Sequence, residues 1–351
     1  MGRKKPLRVG IAGCGLIAQW HHIPSFIKMR DVKLVAVCDK DIALIDGVAR
    51  RFNINGRYTD FTEMLTSEEL DIVDICTPPK THADLSIRAI EAGCDVLVEK
   101  PMALNLKEFD QIAGACKRTK ARICPVHHEL FEPAIIKVRS LVGRGHIGDL
   151  IGIDIMASSR RDAALLRNKE HWSHQLPAGI LSESLPHPIY LAAAFLGSIN
   201  PVAINITKHN TDDGVVADEA RIIFEGTNGK GGISYSCNNS PKDKVIIDIY
   251  GTKKNLRIDL WNSVITEYGI GGENRCGRAL ENLNQIISIF ACSVLTTLYV
   301  VSGKFHSGHY TLIERFVESV RHDTEPPVTM EEAKQVIQVL EKVAQHSLTI
   351  G

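Results

Sequence analysis

What this sequence lacks narrows what it can be. It has no net charge, because 41 Lys and Arg balance 41 Asp and Glu. No global field therefore draws it to nucleic acid or to an anionic surface, and nucleic acid is not expected as a partner. Its nine cysteines stand singly, with no C-x-x-C and no paired spacing. That excludes thiolate zinc modules and a disulfide framework, and implies reduced thiols in a cytoplasmic protein. There is no internal repeat and no low-complexity tract. No uncharged apolar run reaches the ~20 residues of a membrane-spanning helix. Ile286–Val301 (IISIFACSVLTTLYVV) falls short of that length; it reads as a buried helix or a subunit interface, with membrane-surface contact as the alternative. At the N-terminus Arg3, Lys4 and Lys5 precede an apolar run, Leu7–Ala12, that is too short for a secretory leader and leads into Gly13-Cys14-Gly15 instead of a cleavage site.

What is present fits an ordinary folded chain of two domains: 351 residues, 44% hydrophobic and 23% charged. The first part alternates β-rich runs with amphipathic stretches. Strands are expected at Leu7–Ala12, Lys33–Cys38, Asp71–Cys76, Asp95–Glu99 and Arg122–Val126, with helices such as Thr81–Ala92 and Leu106–Lys117 between them. That order is the signature of a parallel sheet covered by helices. After Gly148 the strand-like runs follow one another through Gly, Asn and Lys turns: Leu150–Ala157, Val202–Lys208, Ala220–Phe224, Gly232–Ser236, Val245–Tyr250 and Asn255–Leu260. These predict hairpins in a mainly antiparallel or mixed sheet. The expected fold class is α/β, with a dinucleotide-binding domain over residues 1–126 and a second α/β domain over 127–351. A last helix, Met330–His346, is expected to pack back on the first domain.

The sharpest motif is Gly13-x-Gly15-x-x-Ala18, directly after the first strand and opening a helix. Gly13 permits the tight turn, Gly15 lets the backbone approach a pyrophosphate, and Ala18 allows close helix–strand packing. Leu16 and Ile17 lie at the helix N-terminus that would hold the phosphates. The second strand leads into Asp39, where a carboxylate would accept from ribose hydroxyls and repel a 2′-phosphate. NAD is therefore expected; Lys40, a cation beside that acid, leaves NADP open.

Further on come Thr77-Pro78-Pro79-Lys80-Thr81-His82 and Glu99-Lys100-Pro101. With the preceding fingerprint, these resemble the TPPxxH turn and EKP motif of the Gfo/Idh/MocA family (glucose–fructose oxidoreductase, inositol dehydrogenase, rhizopine catabolism). The resemblance extends over the whole chain. It implies a Rossmann domain followed by an α/β domain with a large open sheet, which closes the cleft and joins subunits into a dimer or tetramer. It also implies that Thr77, Pro78, His82, Glu99 and Lys100 join the cofactor site, with Lys100 catalytic. From physics alone, Lys100 stands at the C-terminal end of a parallel strand, where an ammonium can hydrogen-bond a substrate oxygen as charge develops on it.

Gly179-x-x-x-Glu183-x-x-x-His187-x-x-Tyr190 is similar to the family's G-x-x-x-D-x-x-x-H-x-x-D helix. Glu183 and His187, four apart, share a helix face. His187 is the candidate acid or base and Glu183 its orienting partner. Pro186 and Pro188 belong in a first helical turn, which sets the imidazole near the positive end of the dipole. Glu183, Leu185 and Tyr190 depart from the pattern. His128, Arg161, Trp172 and Tyr190 are candidate substrate contacts. The His21-His22, His127-His128, His171/His174 and His306/His309 pairs lack the regular spacing of a zinc site, and no metal is expected. The expected activity is hydride transfer between nicotinamide and a secondary alcohol of a sugar, cyclitol or related polyol. A redox-neutral glycosidase or lyase using held NAD, and a nucleotide-binding regulator, are the alternatives.

Overall fold

In the computed structural model, residues 5–209, 217–237, 242–269, 274–303 and 306–347 are described; Arg3 and Lys4 fall outside them. The chain divides into two units, Met1–His128 with Gly308–Gln338, and Glu129–Ser307 with Val339–Gly351.

The first unit opens with β1 (Leu7–Ala12), α1 (Ile23–Lys28), β2 (Val32–Cys38), α2 (Ile42–Phe52), β3 (Gly56–Tyr58) and α3 (Phe61–Ser67). It continues with β4 (Ile72–Ile75), α4 (His82–Glu91), β5 (Asp95–Val98), α5 (Leu106–Thr119) and β6 (Ile123–Pro125). Helix starts follow side-chain chemistry. Asp41 accepts from the Ala43 and Leu44 amides, Asp60 accepts from Glu63 N, and Asn105 and Glu108 cap α5 reciprocally. The six strands are all parallel in the order β3-β2-β1-β4-β5-β6. The order reverses between β1 and β4, and the crevice at the C-terminal ends of those strands is where such sheets bind ligands. Ile75, Val96, Val98, Phe109 and Ile112 form part of the core, and Ala333 and Ile337 of the last helix join it.

The second unit contains α6 (Pro133–Gly143), β7 (Leu150–Ser158), α7 (Arg160–Arg167), α8 (Ile180–Ser184) and α9 (Pro186–Leu196). Then come β8 (Ile199–Thr207), β9 (Glu219–Gly226), β10 (Gly229–Ser236), β11 (Lys244–Gly251), β12 (Asn255–Asp259), β13 (Val264–Tyr268) and α10 (Arg275–Val301). Its seven strands run β13-β12-β11-β7-β10-β9-β8, antiparallel except for the β7–β10 pair. α9, rich in Ala and Leu and largely buried, packs on one face across β7 to β10. α11 (Gly308–His322) belongs to the first unit, and α12 (Met330–Ser347) begins there.

The expected burial of Ile286–Val301 is corrected. That segment forms the C-terminal part of α10, in which no residue is buried. This apolar run satisfies its own backbone as a helix, and among the described residues it packs chiefly against β13.

Candidate functional site

The fingerprint turn is built as its glycines require. Gly13 has φ +96°, and a Cβ there would stand 2.6 Å from the carbonyl carbon of Cys76 on the neighbouring strand. At Gly15 nothing lies within 4 Å of where a Cβ would be, so the backbone is open to a close-approaching phosphate. Asp39 closes the arrangement from β2, its Oδ2 accepting the Cys14 amide at 2.8 Å and its Oδ1 the Asp41 amide at 3.1 Å. These residues fit a dinucleotide: an unobstructed turn for the pyrophosphate and a carboxylate fixed at the ribose position. Leu16 is 56% exposed beside it, and Lys40 is exposed.

The Thr77–His82 turn and the Glu99–Pro101 turn are joined by one ring. His82, fully buried, lies between Thr77 O at 2.7 Å and Pro101 O at 2.8 Å. Burial lowers its pKa, so the ring is neutral and donates to one carbonyl at a time. It braces the two loops from inside. Thr77 receives the Thr81 hydroxyl at 2.7 Å, Pro78 is exposed at the turn, and the Lys100–Pro101 bond is cis.

Beneath Lys100 lies a buried charged clamp. Ala18–His22 winds as a single π turn ahead of Pro24 and directs His22 inward. His22 Nδ1 donates to Asp74 Oδ2 at 2.8 Å and Nε2 donates to Glu99 Oε1 at 3.0 Å. The other Glu99 oxygen accepts the Lys100 amide at 3.0 Å. Burial opposes charge on His22, but Asp74 outweighs it and holds the pKa well above the ordinary value. Burial likewise opposes ionisation of Glu99, yet the His22 hydrogen bond and charge bring its pKa down to about 2. The ring thus stands as an imidazolium between two carboxylates, donating from both nitrogens. Asp74 Oδ1, buried, finds no hydrogen-bond partner among the described residues.

Against this clamp stands a column of imidazoles. His309 of α11 stacks on His21 at 4.2 Å and on His128 at 3.7 Å, centroid to centroid, with its Nε2 4.0 Å from Glu99 Oε1. Burial first, and the neighbouring His128 second, drive its pKa well below the ordinary value, so it remains neutral. His127 is also held neutral by burial, at about 3.

In the second unit α8 and α9 meet at Leu185, whose backbone stays helical, so Glu183 and His187 remain about one turn apart. Gly179, at φ +56° and ψ −138°, opens α8 in a conformation that suits glycine. His187 is the second residue of α9. Its Nδ1 lies 2.8 Å from the Tyr190 hydroxyl and 3.5 Å from Glu129 Oε1, and the Glu129 amide donates to that same hydroxyl at 3.4 Å. Glu129, which helical spacing along α8 and α9 does not point to, is a carboxylate within reach of His187 Nδ1. Trp172 is half-buried beside His171 at 4.8 Å. Arg161 is exposed; its amide reaches Asp243, which also receives Arg160 N and Ser159 Oγ. Asp162 in the same turn receives the hydroxyls of Ser184 and, at 2.6 Å, Tyr235, tying α8 to the sheet.

His22, Asp74, Glu129 and His309 are the participants that sequence reasoning did not assign. Asp74 carried a signal, as the lone acid in a four-residue apolar strand. His309 carried none, being more than two hundred residues from Glu99.

A glycine turn after the first strand, at the switch point of a parallel sheet and with an acid after the second strand, defines a dinucleotide-binding protein. The chain belongs to the Gfo/Idh/MocA family: residues 7–128 match its NAD-binding Rossmann fold and residues 139–348 its C-terminal alpha/beta domain. It is 27% identical to Oxidoreductase P35 of Formosa agariphila over 73% of this chain and 80% of that one. It is 28% identical to the inositol 2-dehydrogenase of Rhizobium meliloti over 64% of this chain and 66% of that one. The WlbA dehydrogenase of Bordetella pertussis, solved with NADH and UDP-GlcNAcA, shares the fold at a TM-score of 0.82 and 19% identity, covering 99% of this chain and 97% of that one.

Proposed function

We propose that this oxidoreductase transfers a hydride between nicotinamide and a secondary alcohol of a sugar, cyclitol or related polyol, with NAD preferred over NADP. The observation that carries the reading is the His22–Glu99 clamp, which fixes the Lys100 turn at the C-terminal end of β5. The inositol and nucleotide-sugar chemistry named for the relatives supports the substrate class. The carboxylate of Asp39 supports NAD, because it would repel a 2′-phosphate.

When bound, the nicotinamide supplies or accepts the hydride. The protein's residues handle the proton and the charge. In the oxidative direction His187 takes the hydroxyl proton at Nε2. That requires the ring's own proton on Nδ1, where Glu129 at 3.5 Å and the Tyr190 oxygen at 2.8 Å can receive it. Lys100 donates to the oxygen as negative charge builds on it. In the reductive direction both transfers reverse. Glu183 remains a second candidate orienter of His187, and His128, Arg161 and Trp172 are candidate substrate contacts. We also assign the chain to the cytoplasm, and to a homo-oligomer formed through the uncovered face of the seven-stranded sheet, where Met156 and Ile223 are 47% and 57% exposed.

The test is NADH formation by the purified protein across a panel of sugars, sugar nucleotides and cyclitols. Lys100→Ala should lower kcat by about 10²–10³-fold, and His187→Ala by about 10²–10⁴-fold. Turnover with no net NADH would move the assignment to redox-neutral chemistry. NADH binding with no turnover on any compound would move it to a regulator.

A further inference from the structure

α10 has the opposite polarity from that of a helix on a water-facing surface. The side that leans on β13 is the polar one: Glu281, Gln285, Ser288, Cys292 and Thr296, spaced three or four apart, are the half-buried positions. Glu281 accepts the Gly269 amide, and Cys292 Sγ lies 3.9 Å from Ile265 O. The residues turned outward are apolar. Ile287 is 55% exposed, Phe290 71%, Leu295 54% and Leu298 59%. At ~100° per residue the exposed large apolar side chains sweep about two-thirds of the circumference. A soluble helix turns such a surface to the core and its polar stripe to water.

From this we infer that α10 lies within one leaflet of a phospholipid bilayer and holds the protein on the membrane surface without crossing it.

Four observations select a bilayer over a second copy of the chain. First, the apolar arc is wider than the ~100° stripe that one packed partner covers. Second, the two exposed hydroxyls among the outward apolar residues are satisfied inside the helix, Ser293 donating to Ile289 O and Thr297 to Ser293 O, both at 2.8 Å, as hydrocarbon requires of them. Third, Ile286–Val301 carries no charge, while Arg275 stands exposed in the first turn, placed for anionic headgroups. Fourth, an 18-residue window of the helix reaches a mean hydropathy of 1.6 although no residue in it is fully buried in the protein.

Topology restricts the mode. The uncharged part of the helix, residues 282–301, is 20 residues, about 30 Å and so as long as the hydrocarbon core; length alone would permit a crossing. Both units also contain chain from before and after α10, Met1–His128 with Gly308–Gln338 and Glu129–Ser307 with Val339–Gly351. A single crossing would divide each unit between the two sides of the bilayer. The helix can only enter and remain on one side.

Flotation of the full-length protein with phosphatidylcholine vesicles, with and without phosphatidylglycerol, tests this. The wild type should rise with the vesicles, more strongly with the anionic lipid at low salt. Phe290→Glu with Leu298→Glu should cut the floated fraction at least tenfold while leaving circular dichroism and NADH affinity unchanged, since neither side chain is packed in the protein. Two results overturn the inference. One is a wild type that stays at the bottom and sediments as an oligomer that the double variant dissolves, which would show that a second copy covers the helix. The other is a wild type that neither floats nor associates.

Discussion

The two sheets of this chain meet charge on opposite terms. In the parallel sheet every residue of β4 is buried, so Asp74 has no access to water and persists only opposite the His22 imidazolium. In the mixed sheet β9 alternates buried and exposed positions, and charges elsewhere in that sheet sit on its open face. There Arg257 donates to Asp248 through two nitrogens, at 2.7 and 2.8 Å, with Tyr268 adding a third donor to the same carboxylate. The first acid depends on one buried imidazolium, while the second shares three donors and its side chain, 14% exposed, keeps some access to water. The difference lies in what each would face if a partner left: a closed low-dielectric interior, or the margin of solvent.

Substitutions can break that comparison. His22→Leu strands Asp74 and Glu99 in the interior and should cost about 3–5 kcal/mol by urea unfolding. Adding Asp74→Leu should restore much of the loss. A cost below that of a surface pair for the single change would refute the clamp. Gly13→Ala should cost about 1–3 kcal/mol of backbone strain, and NADH affinity should fall with it because Cys76 must move; fluorescence titration reads this. Asp248→Ala, which takes the acceptor from Arg257 and Tyr268 at the edge of solvent, should cost about 1–2 kcal/mol, less than His22→Leu.

Acidity sharpens the same contrast. The pKa of His22 lies above its ordinary 6.5 in the folded protein, so its contribution is complete below 6.5 and fades as pH rises through the folded value. That of Glu99 falls from 4.5 to about 2, so its contribution is complete above 4.5 and fades as pH drops toward 2. The clamp is therefore worth most between 4.5 and 6.5. A series of urea midpoints across pH should peak there, and His22→Gln should flatten the alkaline side.

The fingerprint, the Thr77–His82 turn, Glu99-Lys100-Pro101 and the alternation of strands and helices were legible in the sequence because their logic is local. A glycine at positive φ or an acid at a helix cap acts within a few residues. β3 and β13, at three and five residues, were too short to stand out. The pairing of His22 with Glu99, and of His309 with His128, depends on which strands neighbour which, and no periodicity encodes that. Helical spacing points to Glu183 as a partner of His187, while Glu129 reaches the same ring from the segment just before α6, where spacing along α8 and α9 is silent. The apolar run of α10 was conspicuous, but only a packed sheet could reveal which side of it faced inward.

The return of Gly308–Gln338 to the first unit has a consequence for synthesis. A nascent chain of 128 residues holds every strand of the parallel sheet but lacks α11 and the imidazole of His309. The nucleotide-binding unit therefore cannot complete itself as it leaves the ribosome, as amino-terminal domains commonly do. It must wait, partly uncovered, until residues 308–338 have been made. A protease acting near residue 300 would then be felt far back along the chain, around Glu99, where His309 stands.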